Sequence, residues 1–173
     1  GASVTDCVEI ARARAEAGGR SFVHPFDDPD VICGQGTLGL ELCEQVPDLS
    51  TVIVPIGGGG LIGGVAAMIK AVSPKTRIVG VQAQAMAAVP ASLAAGEPVA
   101  APMATTIADG IAVRAPSPLT LALIERWVDE VVTVDEDEIA AAMVLLLEKA
   151  KLVVEGGGAV GVAALLQGKG AAQ

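Results

Sequence analysis

An α/β fold is predicted, with a parallel sheet as the middle of three layers and helices on both of its faces. Two observations predict it. The runs Val52 to Ile56 and Arg77 to Gln82 are apolar with little polar alternation, as strands buried on both faces require. Each precedes a longer helical stretch, and strands that alternate with helices favour parallel pairing.

The 173 residues suffice for one domain with a sizeable core. Hydrophobic residues make up 52% and mean hydropathy is +0.60, so the chain is globular rather than disordered. Aromatic residues are only 2%, and the core must therefore be packed from Ala, Val, Leu and Ile. No apolar run approaches the ~20 residues of a membrane-spanning helix. A net charge of −9 argues against nucleic acid and anionic membrane as partners. The N-terminus lacks a charged-then-apolar leader pattern, which makes the cytoplasm the expected location. Cys7, Cys33 and Cys43 lack metal-like spacing and are expected to be free, buried thiols. The chain begins without Met and ends in QGKGAAQ, and it is expected to be a piece of a longer one.

Taken in order, Ser3 to Ala17 reads as a helix, capped by Ser3 or Thr5 and stopped by Gly18-Gly19. Ser21 to Val23 reads as a short strand. His24-Pro25-Phe26-Asp27-Asp28-Pro29 breaks it and marks the best domain boundary. Gly34-Gln35-Gly36-Thr37 then leads into a helix from about Leu38 to Gln45. After the strand Val52 to Ile56 come four glycines, Gly57 to Gly60, and a helix from about Leu61 that ends before Pro74. A strand over Arg77 to Gln82 precedes a helix from Met86 to Ala95, closed by Gly96. Thr105 to Val113 is a turn around Asp109-Gly110. Pro116-Ser117-Pro118 opens a helix from about Leu119 to Val128, and Val131 to Val134 is a strand. Asp135 and Glu138 form a capping pattern for the next helix, with Lys149 and Lys151 at its far end. Leu152 to Val154 is strand-like. Gly156-Gly157-Gly158 then opens a last helix to about Gln167.

The stretch with the clearest chemistry is Gly57 to Gly60. Glycine lets the main chain approach a ligand, and successive N–H groups can converge on an anion. The helix that follows adds its orphan donors and the positive end of its dipole. The result suits a phosphate. Close helix–sheet packing is the alternative use, but four glycines in a row exceed what packing needs. Gly58-x-Gly60-x-x-Gly63 also matches the dinucleotide fingerprint, which expects an acidic residue ~20 positions on to hold a ribose. No Asp or Glu occurs between Gly60 and Glu97, which counts against NAD, and no Gly-Lys-Ser/Thr follows to make a nucleotide loop. A compact phosphate monoester is what remains. Glu155, beside the second glycine run, either faces a ligand or caps the helix. His24 reads as structural. The acids from Asp135 to Glu138 read as a helix cap rather than a metal site.

Several stretches, in order, resemble one family: FVHPFDDPDVICGQGTLGLELCEQ, VIVPIGGGGLIGG, TIADGIAV, VDEVVTVDEDEIAAAM and AKLVVEGGGAVGVAALL. They are similar to the pyridoxal-phosphate-dependent threonine/serine dehydratases (threonine ammonia-lyases) of fold type II, over nearly the whole chain. The resemblance implies part of a tryptophan-synthase-β-like domain. Residues 1–28 would be the end of a small domain, and 29–173 most of the large cofactor domain. It implies pyridoxal 5'-phosphate as cofactor. Gly57, Gly58, Gly59, Gly60 and the Leu61 amide would cradle its phosphate. The Gly110 main chain would lie against it, and the Glu155 carboxylate near the pyridine ring. The implied reaction is β-elimination of L-threonine or L-serine to a 2-oxo acid and ammonia, within amino-acid metabolism such as isoleucine biosynthesis. The implied partners are a small amino acid and further copies of the chain, as a dimer or tetramer.

The same resemblance sets limits. The family's cofactor-linked lysine lies in an upstream Ser-x-Lys motif, and Lys70, Lys75, Lys149, Lys151 and Lys169 lack that context. The later Ser-Gly-Gly-Asn stretch is also missing. The chain is therefore expected to be cut at both ends and inactive alone, with no catalytic residue of its own. Serine racemases of the same family use acidic metal ligands where this chain has Gln82 and Ala88, so no metal is expected there. Serine racemase is the first alternative, and a non-catalytic phosphate-binding or regulatory module the second.

Overall fold

The computed structural model describes residues 4–170. Three parallel strands, β1 (Thr51–Pro55), β2 (Arg77–Ala83) and β3 (Glu130–Val134), lie in that order, with Thr51 opposite Arg77 and Val79 opposite Glu130. Seven α-helices are described: α1 (Val4–Ala17), α2 (Pro29–Gln45), α3 (Gly60–Val72), α4 (Val89–Ala95), α5 (Pro118–Trp127), α6 (Glu136–Leu145) and α7 (Gly156–Leu166).

β2 separates two apolar clusters. Ile78 joins Val52, Val54 and Ile56 of the first segment, Val65 and Ile69 of α3 and Ile124 of α5. Val81 points the other way, into Val134, Ile139 and Ala142 of α6 and Val160 and Ala163 of α7. This alternation is the period of two that a strand imposes. The three-layer arrangement is as predicted. Gly80 sits at the middle of β2 because Ile56 and Ile62 fill the space a side chain would need.

The second helix is longer than expected. Asp28 accepts N–H bonds from Asp30 (2.9 Å) and Val31 (3.3 Å), and Pro29 occupies the first turn, where a missing N–H costs nothing. Gly36 and Gly39 are not turn residues. A Cβ on Gly36 would lie 3.2 Å from the Gly64 carbonyl, and one on Gly39 would lie 2.9 Å from the Val65 carbonyl. The glycines let α2 and α3 pack backbone to backbone.

Four further expectations are corrected. Ser21 to Val23 and Leu152 to Val154 form no strand, because neither has a neighbouring strand to bond. The helix expected from Met86 is a 3-10 turn, Gln84–Met86, followed by α4, with Pro90 at the start of the latter. α6 widens into a π-helical turn, Leu146–Ala150, which stops at Lys151 in the left-handed region (φ 59°). The Lys151 ammonium donates to the Glu148 carbonyl there at 2.7 Å. The cap pairing of Asp135 with Glu138 is present in both directions, at 2.8 and 2.9 Å. Ser3, one of the caps proposed for α1, lies outside the described residues. Cys7 and Cys33 are exposed and Cys43 half-buried, so the thiols are free but not buried in the core.

Candidate functional site

β1 delivers the chain to the glycine run, and the Ile56 amide still bonds the Val81 carbonyl at 2.8 Å. The run then turns into α3 through Gly59, whose φ of 95° is open only to glycine at low cost. Among the described residues, the amides of Gly58, Gly59, Gly60 and Leu61 have no acceptor. They are the orphan donors expected at a helix start. The cleft beside them has a volume of about 330 Å³ and no charged side chain in its wall.

Three neighbours hold the loop. The Thr120 hydroxyl, wholly buried on α5, donates to the Gly58 carbonyl at 2.7 Å. Thr120 is itself fixed in a reciprocal cap with Ser117. The Phe26 ring lies against Gly58, where a Cβ would overlap it, and its main chain would be 3.0 Å from a Cβ on Gly60. The 3-10 turn Asp109–Ile111 closes the other side, with the Ile111 Cα 3.3 Å from a Cβ placed on Gly57. Side chains on these glycines would collide with the residues that hold the loop.

Gly110 extends the site to the second glycine run. A Cβ on Gly110 would lie 2.8 Å from Glu155 Oε1, and one on Gly157 would lie 3.1 Å from the same oxygen. Glu155 stands at the N-cap position of α7, yet its carboxylate takes no capping bond there and is exposed. The capping alternative is therefore set aside. Gly57 to Leu61 and Gly110 line one cleft, and Glu155 stands behind Gly110, outside the cleft wall.

Other candidates lie elsewhere. Lys70 pairs with Asp129 at 2.7 Å and Lys169 with Glu138 at 2.7 Å. Lys75 and Lys149 are exposed, and no described lysine lines the cleft. Among the described residues no group of three or more metal-ligating side chains gathers. Gln82 is buried; its Oε1 accepts from the Val89 amide at 2.9 Å, and its Nε2 approaches the Ile56 carbonyl at 3.5 Å. Two larger hollows, of about 640 and 410 Å³, flank β1 and the α2–α3 seam. Neither has a charged side chain in its lining or reaches the glycine run. Sequence reasoning missed Thr120 and the wall made by Phe26. The Ser117-x-x-Thr120 spacing signals the cap, but nothing in it signals the bond to Gly58.

The donor set fits the phosphate of a pyridoxal-phosphate cofactor, since orphan amides around a glycine cradle recognise an anion without a cationic side chain. The whole chain, residues 1–173, matches the family described as pyridoxal-phosphate dependent enzyme. The L-threonine ammonia-lyase of Thermotoga maritima is 51% identical over 161 residues, covering 93% of this chain and 40% of that protein. The catabolic L-threonine dehydratase TdcB of Escherichia coli K12 is 44% identical, covering 98% and 51%. The chain thus spans about half, or less, of the length of these curated relatives. Among solved structures, a T.th. threonine deaminase superposes with a TM-score of 0.87 at 40% identity, over 92% of this chain and 59% of that one. Maize serine racemase gives 0.87 and 40%, over 91% and 48%.

Proposed function

Because the chain belongs to the pyridoxal-phosphate dependent enzymes, we propose that it is the cofactor-holding part of a threonine or serine dehydratase, an ammonia-lyase. One observation carries the reading: the residues of four orphan amides line a cleft that has no charged side chain. Gly57, Gly58, Gly59, Gly60 and the Leu61 amide hold the phosphate. The Gly110 main chain would lie against the cofactor, and the Glu155 carboxylate would stand near the pyridine-ring side. When bound, the cofactor supplies the electron sink for loss of the β-hydroxyl from L-threonine or L-serine, with a 2-oxo acid and ammonia as products. The residues of this chain bind and orient it. In this reading residues 1–28 end a small domain and 29–173 form most of the large one. The enzyme works in the cytoplasm as a homo-oligomer on a small amino acid.

Equilibrium dialysis with pyridoxal phosphate tests the cup. The chain is expected to retain the cofactor, and Gly59→Ala to lose it. Retention unchanged in Gly59→Ala would remove the glycine run from the site.

The equal superposition on maize serine racemase supports a second reading, racemisation of serine. Against it, Gln82 offers an amide where that reading asks for a carboxylate, and its Oε1 already holds the Val89 amide. Chiral analysis of serine incubated with the enzyme that contains this chain separates the two. Dominant D-serine formation overturns the dehydratase reading.

A further inference from the structure

His24 is the chain's only histidine. Its Nδ1 accepts two main-chain N–H groups, from Asp27 at 2.8 Å and from Phe26 at 3.3 Å. A nitrogen that accepts two donors carries no proton, so the ring proton sits on Nε2. The imidazole is also a rung in a ladder of rings. Phe22 meets it edge-on with centroids 6.0 Å apart, and Phe26 does so at 4.7 Å. Phe26 is the residue that lies against Gly58 and Gly60. The acceptor on His24 and the wall of the phosphate cleft are therefore joined through one tight turn.

We propose that His24 is a positioning residue for the cleft: its unprotonated Nδ1 closes the turn that seats Phe26 on the glycine run. This rests on the reading of that run as a phosphate cup. Without that acceptor the Phe26 and Asp27 N–H groups are left unpaired, the turn opens and the cup loses its wall. Arg12 and Glu16 of α1, with Arg20, Asp27 and Asp28, line the hollow around His24. Their charges are of both signs, so the acceptor geometry rather than a single neighbouring charge sets the effect.

The lone histidine makes the test direct. Long-range ¹H–¹⁵N spectra of the 173-residue chain at neutral pH are expected to show Nδ1 without a proton. A proton on Nδ1 overturns the proposal. His24→Asn places an oxygen acceptor near the same point, whereas His24→Ala removes it. His24→Ala should shift the Gly58 and Gly60 amide resonances and weaken binding of both inorganic phosphate and pyridoxal phosphate by roughly three- to tenfold, as loss of two modest hydrogen bonds implies. His24→Asn should restore both. A phosphate-binding His24→Ala with unaltered Gly58 and Gly60 amides overturns the proposal alone, as does a His24→Asn no better than His24→Ala. A wild-type chain that binds neither probe overturns the cup and the proposal together.

Discussion

The Thr120 hydroxyl donates to the Gly58 carbonyl at 2.7 Å, and its Cβ would lie 2.8 Å from a Cβ on Gly59. One buried residue of α5 thus fixes both the carbonyl side of the glycine run and the space its left-handed residue occupies. With the carbonyl turned to Thr120, the neighbouring amides are left free of protein acceptors. Replacing the hydroxyl by a methyl keeps the volume and removes the bond. Thr120→Val is expected to cost about 1–3 kcal/mol of stability, the usual result of leaving a buried polar group unpaired. Phosphate affinity should fall with it, while Thr120→Ser should retain most of both. Urea unfolding and phosphate titration on the three proteins check this. An equally stable Thr120→Val with full affinity would remove Thr120 from the support of the loop.

Gly110 and Glu155 are coupled by contact. A methyl on Gly110 meets Glu155 Oε1 at 2.8 Å, so Gly110→Ala must push the carboxylate aside. The far end of an exposed side chain can move, which keeps the expected stability loss to about 1 kcal/mol. The larger effect should fall on pyridoxal-phosphate binding. Removing the obstructing carboxylate should relieve part of it, so Gly110→Ala in a Glu155→Ala background is expected to cost less than alone. A double-mutant cycle on cofactor affinity measures the coupling. Additive effects would mean that the two residues do not share the site.

β2 was legible because burial on both faces leaves a continuous apolar run, as at Arg77–Ala83, whereas in β1 Val52 and Val54 are buried and Ile53 only half-buried. The Asp135–Glu138 cap was legible because it is written within one turn. Gly36 misled for a physical reason. A glycine opens a turn and also admits a second helix, and only the position of α3 decides between the two. Ser21 to Val23 has strand-like residues, but strand propensity has effect only where a partner offers bonds. Local chemistry took the glycine run as far as a compact phosphate monoester, and only the resemblance of the flanking motifs implied pyridoxal phosphate. The bond from Thr120 to Gly58 joins residues far apart in the chain, and no local pattern encodes it.

Asp129 gives the fold a pH dependence. Burial pushes its carboxyl up, but the Lys70 ammonium, the Ile78 amide and the charge of Arg77 outweigh that and hold it below its ordinary value of 3.8. A carboxyl depressed in the folded state adds stability above its unfolded pKa and loses it as pH falls through the folded one. The side chain is 40% exposed, so screening keeps the contribution to about 1 kcal/mol or less. Asp129→Asn is expected to be less stable than wild type at neutral pH, with the difference shrinking on acidification below about pH 4. Urea midpoints across that range check it. A difference that grows towards low pH would reverse the assigned sign.

The lysines predict what the 173-residue chain cannot do. Lys70 and Lys169 are held in ion pairs with Asp129 and Glu138, and Lys151 folds back on the Glu148 carbonyl. Lys75 and Lys149 project from the surface. None lines the glycine cleft, so none is placed to bond covalently to a cofactor whose phosphate sits there. The chain should therefore bind pyridoxal phosphate reversibly. Borohydride treatment followed by intact-mass analysis is expected to leave no stoichiometric adduct on a single lysine, and L-threonine should not be consumed faster than by free cofactor. A single-site adduct with turnover above that background would place a reactive lysine at the cleft. It would also require one of the two ion pairs, or an exposed side chain, to rearrange into it.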